Sequence, residues 1–207
     1  MANLAAWAPA QKRVASIQDE LNKKLDTIRD DRRYSEAGRE SLMARAVIEA
    51  KQRVNQMRNE AVTERENSRR DLQRRLFGIS GNPDPQSMIA LRDAQDRADQ
   101  LENIEAAQRV YNRASESGDT YLAQAVAQVA VRKGWRDVVD AFSTDTGQSE
   151  LLEQLSDLPT GDGVNLADTS VFRVSKPREL ATCSDIRLEF LAKQTDDDGD
   201  SSDDGSE

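Results

Sequence analysis

Between Ser35 and Leu76 about forty residues contain no proline and a single glycine, Gly38, and a thin apolar seam runs through a surface crowded with charge. Met43, Val47, Ala50, Val54, Met57 and Ala61 recur at alternating steps of four and three, the heptad rhythm that turns one stripe of a helix toward a partner. Leu72 and Leu76 resume the stripe after Arg65 and Ser68 have taken core-like positions. No single helix with so narrow an apolar face can bury it alone. The seam therefore reads as a self-association surface and the segment as a rod.

A shorter helix precedes it. Pro9 suits a first turn, and Val14, Ile17, Leu21, Leu25 and Ile28 share one face up to about Arg33. Tyr34-Ser35-Glu36-Ala37-Gly38 reads as a break, with Ser35 as N-cap and Glu36 placed favourably against the dipole of the next helix. The end of that helix is marked by Arg69, Arg70, Arg74 and Arg75, then Gly78, Gly81, Pro83 and Pro85. At 1.5 Å per residue the two helices would be roughly 35 and 60 Å long. Folded back on each other they leave the far part of the longer one, Glu64 to Arg75, protruding. Its arginine-rich tip is a candidate partner contact.

Beyond a linker at 78–86, helical spacing returns from Ser87 to Ser117, broken at Ser117-Gly118-Asp119, where one helix stops and the next is capped. Thr120 to Lys133 and a short helix after Gly134 follow. The predicted bundle core of this region, 87–158, is Leu91, Leu101, Ile104, Tyr111, Leu122, Val126, Val129, Trp135, Val139 and Phe142. Leu151, Leu152, Leu155 and Leu158 give one more amphipathic turn or two, closed by Pro159. Thr160 to Ser170 reads as loop, Val171-Phe172-Arg173-Val174 as the one strand-like alternation, and Asp185 to Lys193 as helix or strand. The predicted fold is all-α with little or no β: a helical hairpin or coiled coil at 1–77, the bundle, a mixed or irregular segment at 159–194, and a disordered acidic tail at 195–207.

Composition agrees with exposed helices: 37% hydrophobic, 4% aromatic and 32% charged residues. The net charge of -9 conceals a gradient. Residues 1–80 carry 17 basic and 12 acidic groups, 81–158 carry 7 and 14, and 159–207 carry 5 and 12, so opposite ends can attract within one molecule or between molecules. No window is apolar and long enough to span a bilayer, no signal peptide is visible, and one cysteine, Cys183, allows no internal disulfide. A cytoplasmic location fits.

Histidine is absent, which removes imidazole triads, bases and metal ligands from consideration. The acids fall on solvated helix faces, and Gly78-Ile79-Ser80-Gly81 lacks the lysine and preceding strand of a phosphate loop. The expectation is no catalytic residue, no cofactor and no metal site. The run from Asp196 to Glu207 imitates a calcium loop but has Ser201 at its sixth position and no exiting helix. The arginine pairs alternate with acids and lack interleaved aromatics, which argues against nucleic acid. Trp7 either staples the first turns or inserts into a partner.

The bend at Tyr34-Ser35-Glu36-Ala37-Gly38-Arg39, with Ser117-Gly118-Asp119, Leu122-Ala123, Gly134-Trp135 and Val138-Val139-Asp140-Ala141-Phe142, resembles small helical virion-assembly proteins of actinobacterial tailed phages, across residues 10–145. The resemblance implies a non-enzymatic, scaffolding-like or head or tail structural protein. Such a protein forms homo-oligomers and binds a coat, portal or tail component, in the host cytoplasm, procapsid or virion. The acidic tail departs from the basic coat-binding helix of many scaffolds and leaves other assembly roles open. Two alternatives stand beside it: a cellular coiled-coil adaptor or chaperone-like holder of a basic client through the acidic C-terminal region, and a nucleic-acid binder using the arginine tip, with steep salt dependence.

Overall fold

A computed structural model describes residues 7–79, 84–160 and 162–194. Among the described residues it is all-helical, with no strand: α1 (Ala8–Asp30), α2 (Glu36–Phe77), α3 (Pro85–Asp99), α4 (Ile104–Ser117), α5 (Thr120–Lys133), α6 (Arg136–Thr146), α7 (Ser149–Asp157), α8 (Asp162–Val171) and α9 (Asp185–Lys193), with a short 3-10 turn at Arg178–Leu180. The tail from Thr195, read above as disordered and as an imperfect calcium loop, lies outside the described residues, as do Ser80 to Pro83 of the linker.

The chain forms two compact units, divided at Val62/Thr63 and Leu158/Pro159. One, the hairpin unit, takes the described residues up to Val62 together with those from Pro159 onward. The other, the bundle unit, is Thr63–Leu158. Two expected boundaries are thus corrected. The first break falls inside the long helix rather than at residue 77, and residues 159–194 are an integral part of the first unit.

Local chemistry explains the helix ends. Ser35 Oγ accepts the Gly38 N–H at 3.0 Å, as its predicted capping role requires. The long helix stops at Gly78, whose N–H donates to the Arg74 carbonyl at 2.8 Å; a Cβ at that position would come within 2.4 Å of the same oxygen. The helix expected from Ser87 to Ser117 is two helices. Asn103 caps α4 by accepting the Ala106 N–H at 2.9 Å, so a backbone break replaces a continuous turn. Gly118, at φ 73°, ends α4, and the Asp119 carboxylate caps α5 by accepting the Leu122 N–H at 3.0 Å.

In the hairpin unit α1 and α2 run antiparallel. Lys24 meets Glu49 at 2.6 Å and, four residues back on α1 and four onward on α2, Glu20 meets Arg53 at 2.7 Å. Val14, Ile17, Leu21 and Leu25 are buried with Met43, Val47, Ala50 and Val54. The C-terminal segment then closes over this pair. Trp7 Nε1 donates to Asp168 Oδ1 of α8 at 2.7 Å, both residues being buried. Gln18 exchanges two hydrogen bonds with the Ser175 backbone, and Arg29 forks onto Glu179 at 2.8 and 3.0 Å. The chain next turns, and α9 runs back along α2: Lys51 bonds Asp185, while Arg45 and Ser41 donate to the carbonyls of Ala192 and Gln194 at its far end. Phe172, Val174, Leu180, Leu188 and Leu191 are buried in the same core.

This segment differs from its sequence reading in two places. Thr160 to Ser170 is not a loop, because Val164, Asp168 and Phe172 at steps of four give α8 and its exit one buried face, whatever the glycines at 161 and 163 suggest. Val171 to Val174 is not a strand; Val171 closes α8 and only the residues after Phe172 are extended.

The bundle unit has an alanine-rich core. Ala94, Ala98, Ala107, Ala114, Ala125, Ala127 and Ala130 are buried with Tyr111, Leu122, Val126, Val129, Val138 and Phe142. Small side chains let α3 and α4 pack closely on α5. Among the residues expected in that core, Leu101, Trp135 and Val139 pack half-buried against it, and Leu91 and Ile104 are half-buried.

Candidate protein-contact surfaces

The seam that suggested self-association is not a free surface. Met43, Val47, Ala50 and Val54 are each 5% exposed or less, and Met57 and Ala61 pack half-buried against the same cluster. The cover is the chain's own: α1 on one side and the segment from Phe172 to Leu191 on the other. Leu72 and Leu76 belong to a different core, that of the bundle unit, where they are buried beside Phe77. The expectation of a seam reserved for a second copy is thus corrected, and the reason is physical. The narrow stripe does need a partner, and a sequence-distant segment of the same molecule supplies one.

The expected bare protrusion of the arginine tip is corrected likewise. The C-terminal part of α2 does not protrude bare, since Leu72, Leu76 and Phe77 anchor it in the bundle unit and the Phe77 ring lies 5.7 Å from that of Phe142. Arg69 donates to the Leu158 carbonyl at 3.5 Å and Arg70 pairs with Glu66 one turn back at 3.5 Å, whereas Arg74 and Arg75 are exposed. Trp7, weighed as a probe into a partner, is 3% exposed and held by Asp168.

The polar residues near the cores have structural duties. Tyr111 Oη and Ser115 Oγ both donate to Asp145, at 2.8 and 3.0 Å. Burial first, and Asp145 second, holds the Tyr111 phenol well above its ordinary range, so it remains a protonated donor and not a base. A hollow of about 520 Å³ in the hairpin unit is lined by Arg29, Arg39, Met43 and three glutamates, Glu36, Glu40 and Glu179. The Arg29 fork holds the Glu179 carboxyl down at about 2, below its usual 4.5. That pair contributes stability above the ordinary glutamate pKa and loses it as pH falls toward 2. Both side chains are over one-third exposed, so the expected contribution is only about 0.2–1 kcal/mol. Glu179→Gln should lower stability by that much at neutral pH and by clearly less at pH 2, as read by urea melts at the two pH values.

Large apolar side chains that no core absorbs mark the remaining surface. Ile186 is 81% exposed and Phe190, one turn on along α9, 52%, with the Arg187 guanidinium 5.1 Å from the Phe190 ring centre. Leu166 on α8, and Met88 and Ile89 on α3, are also exposed. None of these was singled out from sequence. The signal was present in α9, whose apolar residues occupy two faces: Leu188 and Leu191 turn inward, Ile186 and Phe190 outward. Among the described residues no helix is long and apolar enough to cross a membrane. In comparisons with known proteins the chain matches no family model, no curated protein and no solved structure.

Proposed function

We propose that this protein is a non-enzymatic assembly protein of a tailed-phage virion, scaffolding-like or structural in head or tail, which acts by weak contacts with other virion proteins and with further copies of itself. The observation that carries the reading is the outward face of α9. Ile186 and Phe190 are large, apolar, adjacent on the helix and exposed, although Leu188 and Leu191 on the same helix are fully committed to the core. Exposed apolar residues grouped on an ordered helix favour a contact role. The motifs of residues 10–145 that resemble virion-assembly proteins supply the setting, and the absence of histidine favours a protein that binds over one that catalyses. Weak contacts suit the role, because repetition across many copies converts marginal single interactions into firm attachment.

The seam plays no part in this proposal. Association is expected to depend on α9, and sedimentation velocity over a concentration series provides the test. The weight-average sedimentation coefficient should rise with concentration for the natural chain. The rise should vanish for Ile186→Ser with Phe190→Ser, while circular dichroism stays unchanged because both side chains are exposed. A natural chain that remains monomeric throughout overturns the self-association part, and a double variant that associates as before overturns the placement on α9.

A further inference from the structure

A half-open groove of about 670 Å³ in the hairpin unit is lined by Lys51 and Val54 of α2, Thr169 of α8, the run Phe172 to Lys176 and Asp185 at the start of α9. Its floor is apolar, with Val54, Phe172 and Val174 buried. Its walls are cationic. The Lys51 and Lys176 ammonium groups lie 2.6 and 3.4 Å from the same Asp185 oxygen, with side chains only 27% and 24% exposed. Lys176 is fixed further by donating to the Cys183 carbonyl at 2.6 Å. Arg173 lines the same groove, is exposed, and has no carboxylate partner among the described residues. Two lysines thus share one carboxylate, in positions set by hydrogen bonds, and Arg173 adds a third cation to the same groove.

The backbone of the groove carries a second, independent feature. From Arg173 to Lys176 the chain has no regular secondary structure and its burial alternates, out, in, out and half-in, as in an extended strand. An extended chain directs the N–H and C=O of successive residues to opposite sides. Ser175 uses both of its groups on α1: its N–H donates to Gln18 Oε1 at 2.8 Å and its carbonyl accepts from Gln18 Nε2 at 3.3 Å. In an extended chain the backbone groups of Val174 and Lys176 alternate with those of Ser175 and so point away from α1, and among the described residues no hydrogen bond engages them. Such an unpaired extended edge is of the kind that accepts an added strand.

We propose that the groove is a docking site for an extended, carboxylate-rich peptide segment of a partner protein. The peptide backbone pairs with Val174 and Lys176 as an added strand, and alternate side chains of the peptide rest on the apolar floor. Its carboxylates meet Arg173 and share Lys51 and Lys176 with Asp185. A free phosphate or a nucleic acid would use the cations alone and leave the strand edge and the apolar floor without purpose. The inference is independent of the assembly reading, because direct peptide binding requires neither self-association nor the outer face of α9.

The test uses the full chain and a short fluorescein-labelled peptide of alternating Asp and Val, followed by fluorescence anisotropy at low salt. Saturable binding is expected. Arg173→Glu, at an exposed position that leaves the core untouched, should weaken it by at least about tenfold. Methylation of alternate peptide nitrogens, which removes strand pairing but not charge, should weaken it comparably. Inorganic phosphate and single-stranded DNA at matched charge should compete poorly. Absence of binding, equal binding of the methylated peptide, or displacement by DNA as effective as by unlabelled peptide would each overturn the proposal, the last two by reducing the groove to a generic cationic patch.

Discussion

A chain ended at Leu158 is expected to lose the ordered hairpin, or to recover it only by pairing with another copy. Removing the C-terminal segment uncovers Met43, Val47, Ala50 and Val54 and deletes Phe172, Val174, Leu180, Leu188 and Leu191, all buried in one cluster with them. Each such large side chain contributes roughly 1.5–3 kcal/mol by being covered, and a domain is stable by only about 5–15 kcal/mol in total. The loss of five at once is more than the unit can absorb. It also removes the forked Arg29–Glu179 pair, the Trp7–Asp168 hydrogen bond and the two capping contacts from Arg45. The measurements are far-ultraviolet circular dichroism and sedimentation velocity across a concentration series. At low concentration the truncated chain should show less helix than residues 8–62 would give. As concentration rises, helicity and sedimentation coefficient should rise together, as in a coiled coil whose folding is coupled to association. A truncated chain that is fully helical and monomeric when dilute would sink the view that the C-terminal segment stands in for an intermolecular partner.

That expectation bears on what the sequence could disclose. The seam was legible down to its individual residues, and so was its physical demand, since a stripe of Met, Val and Ala at heptad spacing cannot be hidden by one helix. Hidden was the identity of the cover, because periodicity is a local property and the covering residues lie more than a hundred positions away. The charge gradient pointed the right way. Attraction between the basic N-terminal and acidic C-terminal parts is realised within the molecule in Arg29–Glu179 and Lys51–Asp185. Helix ends were equally legible wherever a single residue decides them, as at Ser35, Gly118, Asp119 and Gly134.

Legibility failed where two weak signals compete. The glycines at 161 and 163 outweighed the four-residue steps of Val164, Asp168 and Phe172, partly because the middle position is a carboxylate. Only the structure explains an aspartate there: it is 1% exposed and receives the Trp7 indole N–H. In α9 two apolar faces cancel in any measure of one-sidedness, so a helix with both an inner and an outer contact face resembles neither helix nor strand. The contact surface proposed for this protein was therefore harder to read than its core. The groove beside Arg173 is a similar case. Its cations come from α2 and from the segment after α8, and its open strand edge was visible only as an alternation that suggested a strand without a neighbour.

The second large effect is expected at Phe142. Its side chain is 1% exposed, stands on α6 against the Phe77 ring, and belongs to a core whose buried residues are mostly alanine and valine. A core so rich in small side chains, on helices already in close contact, has few atoms with which to collapse into a void. Phe142→Ala should accordingly cost about 3–5 kcal/mol, toward the upper end of the range for aromatic truncation. It should also forfeit the interaction with Phe77, worth about 0.5–1.5 kcal/mol where such pairs have been separated from simple burial. The reverse change tests the same property from the other side: Ala127→Leu, at a position with no exposure, should destabilise by about 1–3 kcal/mol through overpacking. Urea denaturation followed by tryptophan fluorescence, with Trp135 half-buried against this core, reads both variants. A core that tolerated the larger residue at 127 while losing little at 142 would be loosely packed, and the close approach of α3 and α4 to α5 would then need a cause other than its small side chains.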